Sequence, residues 1–265
     1  MNNEMSRTGS SRILRPERLQ RILELVATEG NVTVAQLTEL FQVSGTSIRR
    51  DLNELVRQGK AKRVHGGVVG SPKAVDEWSF QERLRAHHEE KIRIGQVAAG
   101  LIRDNSTLFL DSGTTTLEVA RHIGPMNHLF VVTDSLAVMR ELGPRPGVTA
   151  TLVGGLYNHS SVSTGGPLAV ANLRQFHGDL LILGVDGVDI AHGLTGNQPL
   201  EVESLRTMIE RVDSVVLVAD SSKIGRVAFT QIAPLTAADT FVTDRGADPC
   251  TLAAFREAGI DVLVA

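Results

Sequence analysis

The 265 residues are 42% hydrophobic and carry a net charge of −3, with an isoelectric point near 6.2. That is apolar material for a sizeable core, and it excludes a disordered or a wholly basic chain. No apolar run approaches the roughly 20 residues that span a bilayer, residues 1–12 are polar and lack the apolar segment of a signal peptide, and a single cysteine, Cys250, excludes an internal disulfide. A cytoplasmic protein with no membrane contact is expected. The charge is uneven: residues 1–70 carry 11 Lys+Arg against 7 Asp+Glu, or +4, whereas residues 71–265 carry 16 against 23, or −7.

Residues 1–14 read as a flexible tail. An apolar-periodic segment then opens at Pro16, a favoured first-turn residue, repeats through Leu19, Ile22, Leu23 and Val26 and stops near Gly30. A second opens at Thr33, whose hydroxyl can cap while Gln36 reaches back, with Val34, Leu37, Leu40 and Phe41 on one face. After a turn at Val43, Ser44 caps a third helix in which Ile48, Leu52 and Leu55 recur at i, i+4 and i+7 and so point at the first two. Thr46, Ser47, Arg49, Arg50 and Asn53 are left outward. Hydroxyls, an amide and guanidinium groups on such a helix suit the base edges and phosphates of a DNA major groove, where Arg pairs with guanine. Residues 60–69 follow with Lys62, Arg63, His65, β-type valines and a Gly-Gly pair, as in a short hairpin laid against phosphate. Two adjacent arginines alone would be an ordinary solvated face; here the turn, the outward set and the basic hairpin coincide. Residues 15–70 are therefore expected to form a winged helix-turn-helix that binds double-stranded DNA. Its modest positive charge favours a homo-oligomer with two or more heads on a repeated operator.

Gly70, Ser71 and Pro72 break the pattern, and residues 71–88 read as a linker docked by Trp78 and Phe80. An amphipathic helix over 89–102 opens the remainder, 89–265. There, β-rich runs at 107–110, 129–133, 149–153, 180–185, 215–219, 240–243 and 261–264 alternate with helical patterns at 115–123, 135–142, 199–212 and 249–258. The alternation predicts an α/β domain with a mostly parallel sheet, whose ligands belong outside the carboxyl ends of the strands.

Those ends repeat one theme. The first offers Asp111, Ser112, Gly113, Thr114, Thr115 and Thr116 ahead of a helix. A glycine that turns amides to one point, several hydroxyls and a helix N-terminus together make an anion cradle suited to phosphate; the plainer use of the threonines is to cap the helix. Thr133 and Asp134, Gly154 and Gly155, Gly184 to Gly187 with Asp186, and Asp220 to Lys223 follow at later ends. Lys223 can meet phosphate charge, and Asp111, Asp134 and Asp186 can accept from sugar hydroxyls, although each alone is ordinary turn chemistry. The eight histidines form no metal-type cluster, and no metal, cofactor or catalytic set is expected.

The segments VSGTSIRRDL, RVHGG, EEKIRIG, LDSGTTT, VVTDS, VGG, GLT (193–195), ADSSKIG and VTD, in this order and spacing, resemble the DeoR family of bacterial transcriptional regulators over nearly everything after residue 15. The resemblance implies a regulator, usually a repressor of a carbohydrate-use operon. Its C-terminal domain is expected to resemble the ribose-phosphate isomerase and coenzyme A transferase fold and to bind a phosphorylated sugar as effector. It places the phosphate loop at 111–116, with Thr133, Gly155, Asp186 and Lys223 around it. The chain departs from the family at Asp134, where Asn is usual, and at Asn158, near which a basic residue is common. The competing reading is a sugar-phosphate isomerase with an appended DNA-binding head, using Asp111, Asp134 or Asp186 as a carboxylate base.

Overall fold

The computed structural model describes residues 13–29, 31–58, 60–64, 66–70 and 80–265, and the chain divides into two compact units between residues 78 and 79. Most of the expected tail, His65 and Trp78 lie outside the described residues.

The smaller unit runs α1 (Arg15–Glu29), β1 (Asn31–Thr33), α2 (Val34–Phe41), α3 (Gly45–Arg57), β2 (Ala61–Val64) and β3 (Gly67–Gly70). Thr33 and Gln36 close a capping box: the Thr33 hydroxyl accepts from the Gln36 amide at 3.2 Å and the Gln36 carbonyl accepts from the Thr33 amide at 2.8 Å. Gln42 takes the left-handed conformation that ends α2, and the Ser44 hydroxyl accepts from the Ser47 amide at 3.3 Å to start α3. Ile48, Leu52 and Leu55 are buried against Ile22, Leu37 and Phe41. Leu40, expected on the same face, is 55% exposed, because Leu37 and Phe41, four residues apart, already fill the stripe and Leu40 falls at its edge.

The hairpin of β2 and β3 is the expected wing, and β1 adds a third strand, pairing antiparallel to β3 from Asn31↔Val69 to Thr33↔Gly67. A Cβ on Gly67 would lie 2.2 Å from the Val32 carbonyl oxygen, so no side chain fits where β1 crosses.

A polar contact ties the helices together as well. Asp51 points inward from α3, is 1% exposed, and accepts from Arg15 Nε at 2.9 Å and Arg18 Nε at 2.7 Å on α1.

The larger unit continues with α4 (Phe80–Arg85), α5 (His88–Ala99), β4 (Thr107–Leu110), α6 (Thr114–His122), β5 (Leu129–Thr133), α7 (Leu136–Leu142), β6 (Val148–Leu152), β7 (Leu156–Asn158), β8 (Ser163–Gly165), α8 (Pro167–Leu173) and β9 (Gly178–Gly184). It ends with β10 (Gly187–Asp189), β11 (Gly193–Gly196), α9 (Pro199–Glu210), β12 (Val212–Val218), β13 (Thr230–Ala233), β14 (Thr240–Thr243), α10 (Pro249–Glu257) and β15 (Asp261–Val264). Seven strands form one sheet in the order β15-β14-β12-β9-β4-β5-β6, every neighbouring pair parallel.

Alternate strand residues leave on opposite faces. Phe109, Leu181, Leu183, Leu217 and Phe241 pack with Ala169, Leu173, Val202, Leu205, Met208 and Phe255 of α8, α9 and α10. Leu108, Leu110, Ile182, Val216, Val218 and Val242 pack with Ile94, Ala98, Val119, Ala120, Val138 and Leu142 of α5, α6 and α7. Helices on both faces are why these strands read as unbroken apolar runs.

The seven expected strands are the seven strands of this sheet. The sequence patterns did not reveal α4, which lies in the stretch read as linker and buries Phe80, nor α8, the β7–β8 hairpin, or the antiparallel sheet β10-β11-β13. Among the described residues no helix is long and apolar enough to cross a membrane.

Removing one member of a buried ion pair leaves the other uncompensated. Asp51→Ala is therefore expected to destabilise the smaller unit by about 3 kcal/mol. Hydrogen exchange should show lost protection at Ile48 and Leu52 while β4 keeps its own.

Candidate functional site

From β4 the chain winds outward through β5 and β6, then returns to β9 on the other side of β4 and winds away through β12, β14 and β15. The winding reverses between β4 and β9, and at such a point the loops leaving the two strands part and open a crevice. Asp111 stands there, at the end of β4, and its Oδ2 accepts from the Gly184 amide at the end of β9 at 3.0 Å. Along this edge come Lys223 beyond β12, Asp186 beyond β9, Asp111 beyond β4, Asp134 beyond β5 and Gly155 beyond β6.

Beside Asp111 the chain turns into α6. Gly113 is its N-cap and no side chain caps it, so the plainer use of the threonines is not realised. Instead the Thr116 hydroxyl turns back, within reach of the Asp111 carbonyl at 2.8 Å and the Gly113 carbonyl at 3.1 Å. The first amide of this turn bonded to backbone is that of Leu117, to Gly113. The amides of Thr114, Thr115 and Thr116 therefore stay open, at the positive end of the helix. Ser112 and Gly113 are half-exposed.

Acidic groups line the β5 side. Burial, and then the neighbouring Asp134, raises Asp111 well above the usual carboxylate range. Burial, and then Glu201, raises Asp134 to about 8. Glu201, in the first turn of α9, was not singled out from the sequence. Its Oε1 accepts from Asn158 Nδ2 at 2.8 Å, from Ser163 Oγ at 3.0 Å and from Ser161 Oγ. Asn158, one of the two departures from the family pattern, thus belongs to the same cluster as Asp134, the other. Thr133 is buried, and its hydroxyl accepts from the Ser135 amide at 3.0 Å, turning the chain at Asp134.

Cations gather on the β9 and β12 side. Burial lowers the Lys223 ammonium, and Asp186 and then Asp220 oppose that most. Asp186 Oδ2 accepts from the Asn197 amide at 2.9 Å, and its Oδ1 lies 3.9 Å from Arg83 Nη1. Arg83, on α4, also donates to the Ser160 carbonyl at 2.9 Å, and no sequence signal marked it. Lys91 of the EEKIRIG segment is buried, donates to the carbonyls of Arg83 at 2.5 Å and Ala86 at 2.6 Å, and is lowered to about 8 by burial. It staples α4 to α5. Among the described residues no cluster could hold a metal ion.

In the smaller unit Thr46, Arg49, Arg50 and Asn53 are exposed along α3, while the hydroxyls of Ser44 and Ser47 lie 3.0 Å apart and occupy each other. Lys62 and Arg63 are exposed on β2. Being adjacent in a strand they leave from opposite faces, Arg63 from the face that Ala61 and Val68 bury.

A helix-turn-helix unit joined in one chain to a parallel α/β domain is the make-up of a DNA-binding regulator of transcription. The comparisons with known proteins agree. A model of the DeoR-like helix-turn-helix domain matches residues 18–73, and one of the DeoR C terminal sensor domain matches residues 86–245. The uncharacterized HTH-type transcriptional regulator YulB of Bacillus subtilis is 33% identical over 246 residues, covering 93% of this chain and 95% of the relative. The transcriptional repressor AccR of Agrobacterium fabrum is 35% identical over 231 residues, covering 87% and 90%. A solved D-ribose-5-phosphate isomerase in complex with phospho-erythronic acid aligns at TM-score 0.39 and 16% identity over 52% of this chain and 54% of that one, a likeness too slight to carry an argument. The chain belongs to the DeoR family of transcriptional regulators, and it is a DNA-binding regulator, not an enzyme with an appended head.

The backbone at Gly155 explains the glycine without any ligand. Its φ is +117°, and a Cβ there would lie 2.5 Å from the Gly165 carbonyl oxygen on β8. Gly155→Ala is expected to cost about 2 kcal/mol through backbone strain alone, seen as a lower Tm by calorimetry.

Proposed function

We propose that this regulator is a repressor of a carbohydrate-use operon and that a phosphorylated sugar releases it from its operator. The observation that carries the reading is the uncapped start of α6 at the sheet's reversal point, where three open amides and the helix dipole face the same crevice as Asp111 and Asp186. Phosphate suits the amides, and sugar hydroxyls suit the carboxyls. Ser112, Gly113, Thr114, Thr115 and Thr116 are assigned to the phosphate, with Lys223 and Arg83 supplying charge from the β9 and β12 side. Asp111, Thr133 and Asp186 border the sugar, Asp134 lies beside the phosphate loop, and Gly155 shapes the backbone next to them. The AccR relative, a repressor, supports the sign of regulation.

Residues 15–70 are assigned to DNA and residues 89–265 to the effector; of the intervening 71–88, α4 goes with the effector unit and the stretch before it is the connection. A homo-oligomer sets two α3 helices in successive major grooves. Ser44 and Ser47 fix the helix start, Thr46, Arg49, Arg50 and Asn53 face the bases and nearby phosphates, and Lys62, Arg63 and His65 line the wing. A tenfold loss of operator affinity on effector binding requires about 1.4 kcal/mol of coupling.

The deciding experiment is fluorescence anisotropy at fixed salt, with DNA from upstream of the protein's own operon and a panel of sugar phosphates and free sugars. One phosphorylated compound should loosen a specific complex; specific binding indifferent to all of them would remove the effector assignment. In the same assay Arg50→Ala should cost about 1–3 kcal/mol on the operator and little on random DNA, whereas Lys62→Ala should weaken both alike and flatten the salt dependence. Equal losses on both DNAs for Arg50→Ala would refute base reading. Lys223→Ala should keep operator affinity and lose the effector response; a normal response would take Lys223 out of the site.

A further inference from the structure

Native interiors rarely leave a polar group without a partner, and where they do something else commonly pairs with it. Both carboxyl oxygens of Asp134 are in that position, in a residue that is 0% exposed. Its carbonyl accepts from the Thr164 amide at 2.8 Å and the Thr164 hydroxyl at 3.2 Å. On either side Thr133 and Ser135 are pinned, the latter capping α7. Neither carboxyl oxygen has a partner.

The groups that face it come from four directions. Asp111 approaches from the end of β4 and Glu201 from the first turn of α9. From β8 come only hydroxyls, Ser163 and Thr164, and from the loop ahead of α6 come the Ser112 amide and hydroxyl, which act on its charge but make no hydrogen bond of normal geometry. Glu201 Oε1 is already an acceptor to Asn158, Ser161 and Ser163. Ionised, Asp134 would stand buried between two carboxyl groups, a costly state. Burial first and Glu201 second accordingly keep its proton on to about pH 8.

We infer that Asp134 is a specificity residue of the effector site, meeting the bound anion as an uncharged acid and donating its O–H to an anion oxygen. This rests on the reading of residues 111–116 as the phosphate loop, whose Ser112 borders Asp134. A dianion seated there repels a second carboxylate and strengthens the hydrogen bond of a neutral one. The sign follows: the contact is complete below about pH 7, where the proton is present in the free protein as well, and fades as the pH rises through about 8. An amide at this position donates at every pH.

Sulfate tests the idea on the full chain, since its charge is constant over this range. By titration calorimetry the affinity for sulfate should fall about tenfold between pH 7 and pH 9. Asp134→Asn should lose most of the fall. A flat profile for the unaltered protein, or the same fall in Asp134→Asn, overturns the role, the latter assigning the dependence to Lys91 and Lys223. Sulfate bound by neither protein at pH 7 removes the phosphate-loop reading itself, and this role with it. Independently of any variant, the carboxyl carbon resonance of Asp134 under saturating sulfate at pH 7.5 should be that of the acid; the resonance of a carboxylate overturns the proposal.

Discussion

All seven strands of the large sheet run the same way, and most of what is distinctive in the larger unit follows from that constraint. Parallel strands deliver their carboxyl ends to one edge, so residues from five separate segments of chain, from Asp111 to Lys223, are neighbours without having been close in sequence. The reversal of winding between β4 and β9 then decides which ends flank an opening. The hydrogen bond from the Gly184 amide to Asp111 Oδ2 ties the two ends across that opening, next to the bond from the Asp111 amide to the Ile182 carbonyl. It fixes the Asp111 carboxyl against β9, while the Thr116 hydroxyl holds the Asp111 carbonyl from the other side. The loop between them is therefore set before any ligand arrives, which spares a ligand much of the ordering cost.

Charge in the site is sorted by strand. On the β5 side three carboxyl groups gather, and the Asn158 amide of β7, the Ser161 hydroxyl of the turn after it and the Ser163 hydroxyl of β8 satisfy one of them, Glu201. On the β12 side Lys223 and Lys91 are buried among Asp186 and Asp220, and burial lowers both ammonium groups. Buried charges of either sign are tolerated only when paired or neutralised, and the two sides use the two solutions: proton retention on Asp134 and Asp111, opposite charge around Lys223. An anion at the start of α6 lies against both.

How far the sequence reveals this differs by element, for physical reasons. The inner strands β4, β5 and β14 are covered on both faces, so 107–110, 129–133 and 240–243 read as apolar runs with the bounds they have in the fold, and 261–264, at the sheet's edge, keeps its bounds as well. In the smaller unit Ile48, Leu52 and Leu55 are legible because a helix three turns long must bury a stripe. Short antiparallel strands such as β7, β8 and β10 lack that signal, being three residues long with polar members. The strand-end residues are legible as a recurrent Gly, Asp and Ser chemistry, but their partners are not. Glu201 looks like any acidic residue near a helix start, Arg83 like any linker arginine, and Asp51 like an exposed polar residue until α1 brings Arg15 and Arg18 to it. Side chains that act across long sequence separations leave no periodic trace.

Arg83 shows where a ligand can act with most effect. Its helix, α4, is the first described element after residues 71–79, and Lys91 holds the carbonyl of Arg83 and that of Ala86, so the backbone there belongs to the sensor unit. The guanidinium is less settled: one hydrogen bond to the Ser160 carbonyl, a carboxylate at 3.9 Å, and a buried Nε with no partner. A ligand shifts an equilibrium only by the difference in its contacts with the two states. A single hydrogen bond to a charged group is worth about 1.5–3 kcal/mol, and a tenfold change in operator affinity needs about 1.4. One anion oxygen that completes the Arg83 guanidinium when bound is therefore of the right size to supply that difference.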